Sequence, residues 1–363
     1  MAGKLGLGVY ANYQRAIDDV VASNATCCLL FADACARAAE IKQRASGMLV
    51  IGRDYRSDEE QWAMLALPEP QRSQTFWTWG RWLASTYPDV DVWQALNETY
   101  YPGGLERLRA VVAAEIAFTN GVASVGRRSC VLNAATGTYP VPGDPERAGE
   151  YVTFAREVKP LLEHPAVAFL GLHAYGSPRT QYMRDDAAWF ALRYREFVRG
   201  LRACGVRVPP VVITEYGQPN GWRQFMNAEE AAADLAWFGS EIAKDDYVFG
   251  ATYFLDGTID AGKWGRFDIL YTSVPVALAR WNAANPVRVQ QSVGGENVGF
   301  IEQYKAEYDA WAKAGGPEHH FKAHILATHP ELKVTREDFA TILGNISASV
   351  KQLELLLARL PFA

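Results

Sequence analysis

The chain has 363 residues, 49% hydrophobic and 12% aromatic, which is enough to bury a large core in one big domain or two ordinary ones and excludes general disorder. A net charge of -5, with acids and bases interspersed, supplies no basic stripe for nucleic acid and no polybasic or amphipathic anchor for a membrane. No apolar run reaches the ~18 residues that span a bilayer; the first residues, MAGKLGLGVYANY, lack the features of a leader, so the expectation is a soluble protein whose location is left open, with the cytoplasm favoured.

Short apolar or β-branched runs alternate along the chain with longer segments of helical period. In order, the strand-like runs are LGLGVYANY, TCCLLFADA, GMLVIGRDY, DVWQALNE, SCVLNAATG, VAFLGLHAYG, PVVITEYG and GATYFLDG. Their last polar residues are Asn12, Asp33, Arg53, Glu98, Asn133, Tyr175, Glu215 and Asp256, with near-regular spacing over the last five. Between them lie amphipathic stretches such as LERLRAVVAAEIAF and AEEAAADLAWFGSEIA, opened or closed by the Pro, Gly, Asp or Asn that helix ends require. Eight βα units in about 280 residues predict an α/β fold, a (β/α)8 TIM barrel over residues 1–283. An open doubly wound sheet fits less well, because no Gly-rich phosphate fingerprint follows the first strand. Cys27, Cys28, Cys35, Cys130 and Cys204 form no CxxC pair and read as reduced thiols.

Residues 284–363 fall outside the eight units and read as a helical C-terminal extension. Leu343, Ile346, Val350, Leu353, Leu357 and Leu360 form a heptad stripe. It reads as an ordinary packed helix, with self-association through residues 343–360 as the alternative. The run HHFKAHILATH pairs His320 with His324 at helical metal-ligand spacing, but it has neither the Glu of HExxH nor a third ligand. It reads as a His-rich surface helix, and no metal is expected.

The C-terminal strand ends are where this fold builds its active sites, so the polar residues there are the candidates. Burying an ionised carboxylate costs several kcal/mol unless it is paired or neutralised, yet two strands end in Glu: VWQALNE at Glu98 and VVITEYG at Glu215. Strand alternation puts Ile213 and Glu215 on one face, so that if Ile213 fills the barrel interior, Glu215 points into its mouth. The same alternation separates Asn97 from Glu98, a conflict that a bulge or the end of regular pairing would remove. Tyr10, Asn12, Asn133, Tyr253 and Asp256 are the further strand-end candidates for substrate contacts. Trp222, with Trp77, Trp79 and Trp264, is placed where sugar-stacking platforms or ordinary packing residues would sit.

Asn97-Glu98 at the end of strand four, His173-Ala174-Tyr175 at the end of strand six and Glu215 at the end of strand seven together resemble clan A of the glycoside hydrolases, the retaining (β/α)8 glycosidases. The resemblance covers residues 1 to about 283. It implies Glu98 as general acid/base, Glu215 as nucleophile, Asn97 on the sugar 2-hydroxyl, Tyr175 holding Glu215 and His173 lining the same wall. It also implies carboxyl groups ~5 to 5.5 Å apart and double displacement. Glu98 would sit where a poorly solvated carboxyl keeps its proton. The chain departs from the family pattern twice. Strand two ends FADA where many members carry Arg, leaving Arg53 after strand three as the nearest, and strand eight has Tyr253, Phe254 and Asp256 where many have Trp. The expected function is a retaining β-glycosidase of an oligo- or polysaccharide, acting without metal or organic cofactor. The alternatives are a catalytically silent carbohydrate-binding barrel and a scaffold whose tail recruits a partner.

Overall fold

The computed structural model describes residues 2–99, 104–144 and 147–286. Eight strands, β1 (Leu5–Val9), β2 (Cys27–Phe31), β3 (Leu49–Arg53), β4 (Val92–Gln94), β5 (Arg128–Ala134), β6 (Val167–Tyr175), β7 (Val211–Gly217) and β8 (Val248–Phe254), close into one parallel barrel in sequential order. The closing pair sets Leu5–Gly8 against Ala251–Phe254. The helices are α1 (Gln14–Ala22), α2 (Ala38–Arg44), α3 (Asp58–Leu65), α4 (Gln71–Thr86), α5 (Gly104–Ala123), α6 (Ala148–Leu162), α7 (Arg193–Ala203), α8 (Ala228–Ile242), the short α9 (Ala261–Trp264) and α10 (Val274–Ala284). The expected (β/α)8 architecture is therefore the observed one. Among the described residues no helix is long and apolar enough to cross a membrane. The expected tail helix, its heptad stripe and the His320–His324 pair lie outside the described residues.

The strands are buried on both faces, as continuous apolar runs in a parallel sheet require, and they divide their side chains between two layers. Phe169 of β6 and Phe249 of β8 meet with ring centroids 5.1 Å apart although β7 lies between their strands. That contact runs through the barrel interior. The other layer packs between sheet and helices, where Val211, Ile213 and Tyr216 of β7 join Leu235 and Phe238 of α8; the rings of Tyr216 and Phe238 stack at 5.0 Å.

Ile213 thus faces the helices, and the expectation that it fills the barrel interior beside Glu215 is corrected. Leu172 pairs with Ile213 but the next residue, His173, pairs with Glu215. Thr214 is the extra residue of a β-bulge, and one added residue reverses the alternation beyond it. Glu215 consequently turns inward where strict alternation from Ile213 would have sent it outward.

Candidate active site

The site is assembled at the C-terminal ends of β3, β4, β6 and β7. β4 leaves the sheet at Gln94, so Asn97 and Glu98 lie beyond regular pairing, and Glu98 has a left-handed backbone, φ 53°. That conformation costs a non-glycine residue roughly 1–2 kcal/mol and must be held by its surroundings. Three contacts hold it. The Glu98 N–H donates to the Asn133 carbonyl at 3.2 Å, Asn133 Nδ2 donates to the Leu96 carbonyl at 3.1 Å, and Gln94 Nε2 donates to Asn133 Oδ1 at 2.7 Å. From the other side the Asn97 N–H donates to Gln61 Oε1 at 2.7 Å. Gln61 is fixed in the first turn of α3 by a capping box between Ser57 and Glu60. Asn97 and Glu98 accordingly line one pocket, which resolves the alternation conflict.

Glu215 is 5% exposed and both of its oxygens are engaged. Arg53 Nη2 donates to Oε1 at 2.5 Å, and the Tyr175 hydroxyl donates to Oε2 at 2.6 Å. The same guanidinium donates through Nη1 to Asn97 Oδ1 and lies 4.2 Å from the Phe31 ring centroid. His173, fully buried, places Nδ1 2.6 Å from Glu98 Oε1 and 3.6 Å from Glu215 Oε2. Burial raises the proton affinity of Glu215, but the electrostatic pull of His173 and Arg53 and the hydrogen bonds from Tyr175 and Arg53 outweigh it, so its pKa lies below the usual Glu value. Burial and the neighbouring charges of Glu215 and Glu98 push the Tyr175 phenol well up. It therefore stays a hydrogen-bond donor.

One ligand atom each from Glu98, His173 and Glu215 lie within 4.8 Å of one another. A cation could be imagined among them, but both Glu215 oxygens already accept from Arg53 and Tyr175. The arrangement suits an ion-paired carboxylate better than a metal ligand. The Glu98 side chain is 40% exposed, which corrects the expectation of a poorly solvated carboxyl. The early end of β4 lifts it out of the barrel.

The pocket has a volume of about 630 Å³, within the ordinary range of small-molecule sites. Tyr10, Phe31, Phe254 and Trp264 form an aromatic wall facing Glu98 and Glu215. Tyr10 is where it was expected, with its ring edge-on to Tyr55 at 5.3 Å. Several other expected contacts lie elsewhere. Asn12 is exposed and accepts from Arg37 Nη1 at 2.8 Å. Asn133 is fully buried below the pocket as the brace described above. Tyr253 is buried against Tyr216 and donates to the Phe267 carbonyl at 3.0 Å, because alternation in β8 turns Phe254 inward in its place. Asp256 is fully buried, and burial together with Asp19 and Asp268 pushes its carboxyl well up. Trp222 is buried, with Nε1 donating to the Phe267 carbonyl at 3.2 Å. Trp77 and Trp79 lie within α4, the latter bonded to Asp54 Oδ2 at 3.0 Å; only Trp264 of the named tryptophans lines the pocket. The sequence reading did not place Arg53 in the site, although the signal was present. Arg53 is the polar end of its strand, the property that marked Glu98 and Glu215.

No protein-family model matches the sequence, and no curated protein matches it. Solved structures share the barrel. The β-glucuronidase of Bifidobacterium dentium, solved with coumarin-3-O-glucuronide, aligns with a TM-score of 0.52 and 14% identity over 77% of this chain and 46% of its own. A family 39 glycoside hydrolase from Bacteroides cellulosilyticus WH2 aligns at 0.50 and 11% identity, over 78% and 64%. A glucosidase from Croceicoccus marinus aligns at 0.50 and 13% identity, over 77% and 67%. The resemblance to (β/α)8 glycoside hydrolases therefore holds at the level of the fold.

Proposed function

We propose that the protein is a retaining β-glycoside hydrolase of oligo- or polysaccharides, with Glu215 as nucleophile and Glu98 as general acid/base. The observation that carries this reading is the pair itself. Glu98 and Glu215 face one pocket with carboxylate oxygens within 4.8 Å, close to the ~5 to 5.5 Å of double displacement and short of the ~6.5 to 9.5 Å that admits a water between nucleophile and sugar. In the first step Glu215 attacks the anomeric carbon while Glu98 gives its proton to the departing oxygen. In the second Glu98 takes a proton from water, which displaces Glu215 from the sugar. Arg53 and Tyr175 keep Glu215 ionised and aimed, and His173 orients Glu98. Asn97, fixed by Arg53 and Gln61, is placed for the 2-hydroxyl. Residues 284–363 are proposed as an accessory extension, since every group in this scheme precedes them.

Two expected results test the scheme. NMR of freshly released sugar should show the anomer of the substrate; the opposite anomer would overturn double displacement. Glu98→Gln should spare glycosylation from substrates with good leaving groups, which need little protonation, and slow poor ones severely. A loss independent of the leaving group would remove the acid assignment.

Arg53→Lys should lower kcat by ~10- to 100-fold, because a point charge cannot hold Glu215 and Asn97 together and a lost charge-assisted hydrogen bond costs about 1.5–3 kcal/mol. The acid limb of kcat/KM should also move up in pH, since Glu215 loses part of what lowers its pKa. An unchanged limb would show that Arg53 does not act through Glu215.

A further inference from the structure

The pocket does not end at its own walls. Pro178 and Phe190, after β6, line both it and a cavity of about 590 Å³ that Trp189 borders. Arg56, after β3, lines both it and a cavity of about 910 Å³ that runs along α4 to Trp82. Trp189 and Trp82 are the exposed tryptophans among the described residues, at 43% and 52%, and each stands on one of the two flanking cavities.

The order of strands sets the direction of the path. The flanking cavities adjoin the ends of β6 and β3, while Glu98 follows β4 and Glu215 lies near the end of β7. Around a ring of eight the sequence β3, β4, β6, β7 is interleaved, so in projection down the barrel axis a line from one cavity to the other crosses the line between the two carboxylates. In that projection the path of a chain laid through both cavities runs between Glu98 and Glu215.

We infer that the enzyme is endo-acting: a polysaccharide chain occupies both flanking cavities at once, with Trp189 and Trp82 as its stacking platforms, and is cut internally. This rests on the glycosidase reading and specifies its substrate. The chemistry of the larger cavity fits a neutral glycan. Gln71, Gln74, Thr75 and Thr78 give it amides and hydroxyls, and Arg56, the one cation lining it among the described residues, is paired with Asp54 at 3.0 Å. A pyranose presents an apolar C–H face to an indole ring and hydroxyls to such polar neighbours.

The test uses the full chain on soluble β-1,3-glucan, mixed-linkage β-glucan, xylan and mannan, beside a set of aryl glycosides. Viscosity of the cleaved polymer should fall well before many reducing ends appear. In Trp189→Ala and Trp82→Ala, the ratio of kcat/KM on that polymer to kcat/KM on the aryl glycoside should drop about tenfold, the usual scale for a buried aromatic contact. Trp189→Tyr and Trp82→Tyr should recover most of it. An unchanged ratio in both alanine variants overturns the stacking platforms and with them the path through the flanking cavities, and release of terminal sugars at constant viscosity overturns endo action. Cleavage of aryl glycosides with no polymer attacked overturns it while leaving the glycosidase reading intact, whereas no cleavage of any substrate removes both.

Discussion

Glu215→Gln should reduce turnover by on the order of 10⁴-fold or more, the scale seen when a covalent nucleophile is deleted. The amide is nearly isosteric, but its single oxygen can replace only one of the two that accept from Arg53 and Tyr175, and it cannot attack the anomeric carbon. The fold should suffer too. Arg53 is 3% exposed, and its guanidinium would face a neutral amide; removing one partner of a buried ion pair costs about 3–5 kcal/mol. A thermal melt would show that loss beside the kinetic one, and a folded variant with parental turnover would end the nucleophile assignment. In the parent, Glu215 must be ionised to react. Because its pKa lies below the usual Glu value, the acid limb of kcat/KM that it governs should lie below the usual carboxylate range.

Glu115→Gln should make the protein more stable at alkaline pH. Glu115, on α5, is fully buried. Burial pushes its carboxyl up to about 8. A carboxyl whose folded pKa is raised binds its proton more tightly in the native state than in the unfolded chain. Its contribution is complete below the unfolded value and is lost as pH rises through the folded one. The window runs from about pH 4.5 to about pH 8, and the loss is on the order of 3 to 5 kcal/mol. Glutamine never ionises. Urea unfolding at pH 5 should find the two proteins close, and at pH 9 should find the variant ahead by that order. A parental pH slope in the variant would show that Glu115 does not ionise in the native protein. Asp256, also raised, contributes a slope of the same sign to both proteins and cancels in the comparison.

The barrel was legible before any coordinates because its signals are local. Eight apolar runs separated by helical periods dictate strands and helices in alternation, and a parallel sheet buried on both faces is what such runs form. The motifs Asn97-Glu98, His173-Ala174-Tyr175 and Glu215 were legible for the same reason, as polar residues ending apolar strands. Tertiary structure decided which way those residues point. The bulge at Thr214 turned Glu215 inward, and the left-handed Glu98 put it on the same pocket as Asn97; a shift of one residue inverts every face after it, and no periodicity records the shift. Asn133, Asp256, Tyr253 and Trp222 obeyed the strand-end and aromatic rules and were still taken into the core. Phe254 instead faces the pocket, and Arg53 reaches across the barrel to Glu215. Local pattern reports that a residue is polar or aromatic at an element's end. Whether it meets substrate or a carbonyl depends on neighbours from other elements, 14 residues away for Tyr253 and 162 for Arg53, and only packing brings those neighbours together.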